Sequence, residues 1–157
     1  MANTYTQIHI HAVFAVQSRS CVIWDSWQDE LYKYITGIIQ NNGHKLLIIN
    51  GMPDHVHILF GFRPSQSLSD LMQDIKGDSS KWVNEKKFIR ARFSWQEGYG
   101  AFSHSKSEIS KVADYIEKQQ IHHKTKRFTE EYLELLKEFE IEYDERYIFK
   151  PVDIYRT

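Results

Sequence analysis

The chain has 157 residues, 41% hydrophobic, 14% aromatic and 26% charged, one domain's worth of sequence with enough apolar material for its own core. A single cysteine, Cys21, rules out a disulfide framework and a cysteine-based zinc site. No run approaches the roughly 18 apolar residues of a membrane span, and no signal peptide is visible at the start, so a cytoplasmic location is expected. Twenty basic and 21 acidic residues give a formal net charge of −1, but the charges are unevenly placed. Residues 76–127 hold 12 basic and 6 acidic residues, against 4 and 6 in residues 1–75 and 4 and 9 in residues 128–157. The basic middle block is either a positive face for nucleic acid or an ordinary solvated surface.

In chain order, residues 7–16 alternate Ile8, Ile10, Ala12, Phe14 and Val16 with Gln7, His9, His11, Val13 and Ala15, the period of a strand with one apolar face. Residues 24–42 set Trp27, Leu31, Tyr34, Ile35 and Ile38 at helical spacing, with Asp25 or Ser26 as cap and Asn41-Asn42-Gly43 as stop. Residues 44–52 and 55–62 are two strands joined at Gly51-Met52-Pro53-Asp54 as a hairpin. Residues 67–87 form a second helix capped by Ser67. Residues 92–95 are a fourth strand candidate, and residues 101–103, after the turn at Gly98-Tyr99-Gly100, a fifth. Residues 107–120 are a third helix capped by Ser107, and residues 129–139 a fourth, before an acidic, aromatic tail.

The order β-α-β-β-α-β predicts an α+β fold of the split βαβ, ferredoxin-like (RRM-like) type, an antiparallel sheet with helices on one face plus C-terminal helices. Residues 1–157 are expected to form one domain, with a core at about 5–125 and a C-terminal helical and acidic tail at 128–157. Fold alone assigns no function.

His55 and His57 flank Val56 on the third strand, so both imidazoles project from one face while Val56, Ile58, Phe60 and Phe62 cover the other. Such a pair suits a divalent metal, or belongs to a solvated sheet face. His9 and His11 have the same spacing and compete with it. Asp54 favours the 55/57 pair, because a carboxylate at the turn can orient an imidazole. Two ligands are too few, so a third must come from elsewhere. His122 and His123 are adjacent and point apart on a helix.

On the third helix, Tyr115 and Gln119 stand at i, i+4, one above the other. Tyr115 lies at the flank of the apolar stripe, with Lys111, Lys118 and His122 nearby on the helical wheel. Cations there would favour phenolate or hold a phosphate; the alternative is a half-buried aromatic beside snorkelling lysines.

Together these residues resemble the single-tyrosine HUH transposases of small bacterial insertion sequences and their REP-associated relatives. Residues 52–59 (MPDHVHIL) are similar to the family's HUH strand, and residues 115–119 (YIEKQ) to its catalytic helix. Residues 95–103 (WQEGYGAFS) resemble a signature ahead of that helix, and His11-Ala12-Val13-Phe14 the opening strand. The resemblance covers about residues 5–150.

The resemblance implies a homodimeric DNA transposase that cuts and rejoins single-stranded DNA at hairpin-bearing element ends. Tyr115 would attack the scissile phosphate and form a 5′-phosphotyrosine. His55, His57 and Gln119 would hold Mg2+ or Mn2+, with Asp54 behind the histidines. The tyrosine helix often crosses to the partner in this family, so Tyr115 acts in cis or in trans. Magnesium prefers oxygen ligands, so weak metal affinity is expected without DNA. Lys76, Lys81, Lys86, Lys87, Arg90, Arg92 and Lys106, with Lys111, Lys118 and His122, are the candidate DNA contacts. Trp82 and Phe93 are either core or platforms for unpaired bases. Gln17 stands where the family commonly has a lysine, and His9 has no family counterpart. Two other readings stay open: a domesticated REP-associated single-strand endonuclease, and a non-catalytic ferredoxin-like module that binds single-stranded nucleic acid.

Overall fold

The computed structural model describes residues 4–122 and 127–143. Four strands, β1 (His9–Ala15), β2 (Lys45–Met52), β3 (His55–Gly61) and β4 (Gly100–His104), form one antiparallel sheet in the order β2-β3-β1-β4. Helices α1 (Asp25–Asn41) and α2 (Leu68–Lys86) make the two split βαβ crossovers, and α3 (Ile109–Glu117), α4 (Gln119–His122) and α5 (Phe128–Glu138) follow. This is the predicted ferredoxin-like arrangement. Among the described residues, no helix is long and apolar enough to cross a membrane.

Period-two alternation gives the sheet two different faces. Ala12, Phe14 and Val16 of the first strand and its extension join Val56, Ile58 and Phe60 against Leu31, Ile35 and Ile39 of α1 and Leu71, Met72 and Ile75 of α2. Val13, Ala15 and Phe102 point the other way and meet Phe128, Tyr132 and Leu136 of α5. The expected helices cover one face, and α5, one of the expected C-terminal helices, lies over the second. Gly100 permits the close approach, since a Cβ there would sit 2.8 Å from the Tyr132 ring.

Residues 92–95 do not form a strand. Only an isolated bridge joins Trp95 to Val16. Asn84 of α2 takes the strand partner's place: its Oδ1 accepts the Phe93 N–H at 2.7 Å and its Nδ2 donates to the Phe93 carbonyl at 2.9 Å. With those groups satisfied, no ladder is required. Phe93 and Trp95 are instead core residues, and the Trp95 Nε1 donates to buried Ser79 at 2.8 Å. Trp82 stacks on Tyr34 at 4.5 Å between ring centroids. Phe93 is thus core, and Trp82 is partly buried against that core.

Two expected caps are replaced. Ser67 accepts the Asp70 N–H at 3.0 Å as predicted, but the N-cap of α1 is Trp24, without a side-chain bond. Ser107 lies inside a 3-10 turn (Lys106–Glu108) that precedes α3, and Glu108 occupies the cap position. The predicted third helix also breaks at Lys118, which leaves the helical path at φ −94° and ψ 20°. Asn50 of β2 stabilises the break by donating its Nδ2 to the carbonyls of Ile116 and Glu117, both at 3.0 Å. Unsatisfied carbonyls at a helix end need such partners.

Candidate functional site

β3 turns His55 and His57 toward the second face, where both are fully buried beneath α5. The His55 ring stacks on Phe128 with centroids 4.0 Å apart. Each imidazole is held from behind through Nδ1. His55 Nδ1 is 2.7 Å from the Asp54 carboxylate, the orienting contact expected from the turn. His57 Nδ1 is 2.7 Å from Nε2 of His11, whose ring stacks on it. Burial, followed by the neighbouring His57 and His104, holds the His11 pKa well below its usual value. With His57 Nε2–H donating to Glu131 at 3.0 Å, its Nδ1 accepts from a neutral His11; the opposite tautomer, with His11 accepting Nδ1–H, would free the Nε2 lone pair for a cation.

The two Nε2 atoms converge on α4 and α5. His55 Nε2 lies 3.1 Å from Gln119 Oε1 and 3.7 Å from Glu131 Oε1; His57 Nε2 lies 3.0 Å from the same Glu131 oxygen. The other Glu131 oxygen accepts the Gln119 amide at 3.0 Å and the Tyr115 hydroxyl in a short hydrogen bond. Nucleophile candidate, amide and both histidines thus meet at one buried carboxylate. Within the described residues, His55, His57 and Glu131 could hold a metal ion: their ligand atoms all lie within 4.8 Å of one another. The donor set, two imidazoles with amide and carboxylate oxygens, fits a divalent cation.

The expected cationic surroundings of Tyr115 are replaced by an acidic neighbour. Burial raises the phenol pKa first, and the charge and hydrogen bond of Glu131 raise it further. Lys118 pairs with Asp114 at 2.9 Å on an exposed surface. Lys111 is exposed, with Glu108 at 3.9 Å, although it lines the same cavity as Tyr115. The helical wheel failed here because it assumed an unbroken helix and could not include α5. That cavity, about 580 Å³, also has Glu131, Glu134 and Glu138 in its wall. The His122 side chain lies outside the described residues.

The basic block divides. Lys76 is half-buried and donates to the carbonyls of Gln96 at 2.7 Å and Gly98 at 2.8 Å, so it clamps a loop. Burial lowers its pKa. Lys81, Lys86, Lys87, Arg90, Arg92 and Lys106 are exposed. Arg92 and Arg19 line a groove of about 690 Å³ that reaches Asp54 beside the histidines. Arg19 also donates to Thr129 of α5.

Sequence reasoning did not assign roles to His11, Arg19 or Glu131. The His11 signal was present, since it shares the HxH spacing, but only strand pairing turns it into the partner of His57. His9 does not join the cluster: it pairs with Gly61 and His104 at the far end of β1.

Comparisons with known proteins agree with this architecture. The family model described as "Transposase IS200 like" matches residues 4–119, a span ending at Gln119 and before α5. The ISDra2 transposase TnpA of Deinococcus radiodurans is 26% identical over 118 residues, covering 72% of this chain and 84% of that protein. The transposase for insertion sequence element IS200 of Salmonella typhimurium is 27% identical over 124 residues, covering 76% and 81%. Among solved structures, one described as a Deinococcus radiodurans transposase superposes with TM-score 0.62 at 24% identity, over 76% of this chain and 95% of that one. A REP-associated tyrosine transposase bound to a REP hairpin superposes with TM-score 0.59 at 13% identity, over 78% and 73%. With the family model spanning the HxH strand, Tyr115 and Gln119, the chain belongs to the IS200-like transposase family, enzymes that act on DNA.

Proposed function

We propose that this protein cuts and rejoins single-stranded DNA at hairpin-bearing element ends through a 5′-phosphotyrosine intermediate. The observation that carries the proposal is the convergence of the Tyr115 hydroxyl and the His55 and His57 Nε2 atoms on Glu131. A nucleophile and a candidate metal site face one point, as phosphoryl transfer requires. The hairpin-bound relative supports hairpin DNA as the substrate class.

In the forward step the Tyr115 oxygen attacks phosphorus, the bond from phosphorus to the 3′-oxygen breaks, and the strand is left with a free 3′-OH. The phenol proton passes to the Glu131 carboxylate that already accepts its hydrogen bond, and solvent protonates the departing 3′-oxygen. A raised phenol pKa makes such an acceptor necessary. Attack by a 3′-OH on the phosphotyrosine reverses the bonds and rejoins DNA. His55, His57 and Gln119 would hold Mg2+ or Mn2+, which supplies Lewis-acid polarisation of the phosphoryl oxygens. Asp54 and His11 orient the two imidazoles. Exposed Arg90, Arg92, Lys86 and Lys87, with Arg19, would hold the DNA backbone. The proposal includes a homodimer, in which Tyr115 and Gln119 serve the histidines of their own chain, which they meet here, or those of the partner.

The test is a denaturing gel. The protein is incubated with Mn2+ and single-stranded DNA from the gene's flanks, beside Tyr115→Phe. A covalent protein–DNA adduct with wild type and none with the variant is expected. Salt-dependent DNA binding without any adduct would move the reading to a non-catalytic binding module.

A further inference from the structure

Glu131 is the residue that the family match does not cover and that the site cannot be described without. It sits on α5, is 2% exposed, and sets one oxygen against both histidines. Buried carboxylates are costly unless positive charge or several donors compensate them. The described partners around it include a phenol, an amide and the His57 imidazole at 3.0 Å.

We infer that Glu131 is a metal ligand of the DNA-free protein, so that metal binding and the docking of α5 over the histidine face are one linked equilibrium. This rests on the reading of His55 and His57 as metal ligands. Three arguments support it. The first is distance. Metal–donor bonds of about 2.0–2.2 Å place neighbouring donors about 3 Å apart in an octahedron and about 3.5 Å apart in a tetrahedron. Glu131 Oε1 hydrogen-bonds His57 Nε2 at 3.0 Å and lies 3.7 Å from His55 Nε2, and the ligand atoms of the three residues lie within 4.8 Å of one another, so small shifts of this cluster would bring them to those spacings around a cation. The second is charge. Two imidazoles and an amide form a neutral set, poor for a hard cation, and one carboxylate adds the missing negative donor. The third is position. Glu131 uses its second oxygen for Tyr115 and Gln119, so binding through the first keeps those contacts.

The consequence is regulatory as well as structural. Glu134 and Glu138 share the cavity wall with Tyr115, so the docked α5 presents acidic groups where a phosphate must come. A scissile phosphate and the Glu131 oxygen would then compete for one position. Metal alone should hold α5 down, since a ligand that binds only the docked form stabilises it by mass action.

The experiment uses the full chain without DNA. Mn2+ is titrated in while the electron paramagnetic resonance signal of free Mn2+ is recorded, for wild type, Glu131→Gln and His57→Ala. Hydrogen exchange of the α5 amides is measured with and without Mn2+. Wild type should bind Mn2+, Glu131→Gln should lose at least tenfold in affinity, and Mn2+ should slow α5 exchange in wild type alone. Equal affinity in wild type and Glu131→Gln, with binding lost in His57→Ala, would overturn Glu131 as a ligand and leave the histidine site intact. No Mn2+ uptake by wild type, or equal uptake by His57→Ala, would overturn both readings. If Glu131→Gln does not fold by circular dichroism, wild-type exchange decides: protection of α5 that rises with Mn2+ supports the inference, and unchanged protection refutes it.

Discussion

The two faces of the sheet use alternate residues of the same strands and are covered in opposite ways. Under α1 and α2 the contacts are apolar: Phe14, Ile58, Leu31, Ile35 and Ile75 are all fully buried. Under α5 the apolar cluster is small, with Val13, Ala15, Phe102, Phe128, Tyr132 and Leu136 around a polar centre of His11, His55, His57, Gln119 and Glu131. Apolar burial is non-directional and strong, whereas a buried polar network depends on every partner being in place. The first face therefore carries the stability of the fold. The second brings the chemical groups together, and it depends on α5, whose Glu131 joins Tyr115, Gln119 and His57.

Substitutions at matched positions test that division. The largest effect should be functional and on the second face: Tyr115→Phe should reduce covalent DNA adduct by at least about a thousandfold, as loss of a nucleophile does, while its thermal melt falls by less than that of Phe14→Ala. A comparable loss of stability would break the comparison. On the first face, Phe14→Ala should cost about 3–5 kcal/mol of global stability in urea denaturation. Phe128→Ala should cost less and act locally, speeding hydrogen exchange in α5 while leaving α1 and α2 protected. If Phe128→Ala lowers the global urea midpoint as far as Phe14→Ala, the faces are one cooperative unit.

A smaller effect is expected at the histidine support. His11→Ala removes the group behind His57 and should weaken Mn2+ binding by about 10–100-fold, the usual consequence of losing an orienting partner. Unchanged affinity would show that His57 is oriented by packing alone. The smallest effect is in pH. Burial is the leading cause that lowers the pKa of both His11 and His104 from 6.5. The unfolded chain therefore takes up protons first as pH falls, so stability is intact above 6.5 and is lost progressively below it. Urea midpoints at pH 5 and 7.5 should differ in that direction, and His104→Asn should reduce the difference.

Much of this protein was legible in its sequence, for a local reason. Period-two runs marked β1, β2 and β3, period-3.6 runs marked α1 and α2, and Ser67 capped α2 as its position implied. The candidates His55, His57, Tyr115 and Gln119 were visible as two close pairs in sequence, although the break at Lys118 puts Tyr115 and Gln119 on different helices, and Asp54 is adjacent to the histidine it orients. What lay beyond the sequence depended on contacts between distant segments. Asn84 took both backbone groups of Phe93 from nine residues away, so that residues 92–95 meet the first strand only through the Trp95–Val16 bridge. Asn50 stabilised the break at Lys118 from 66 residues away. His11 met His57 across 46 residues, and Glu131 met it across 74. Periodicity reports which face a side chain takes on its own element; it carries no information about which helix will cover that face. Only the docking of α5 over the sheet put a carboxylate, and not the predicted cations, beside Tyr115.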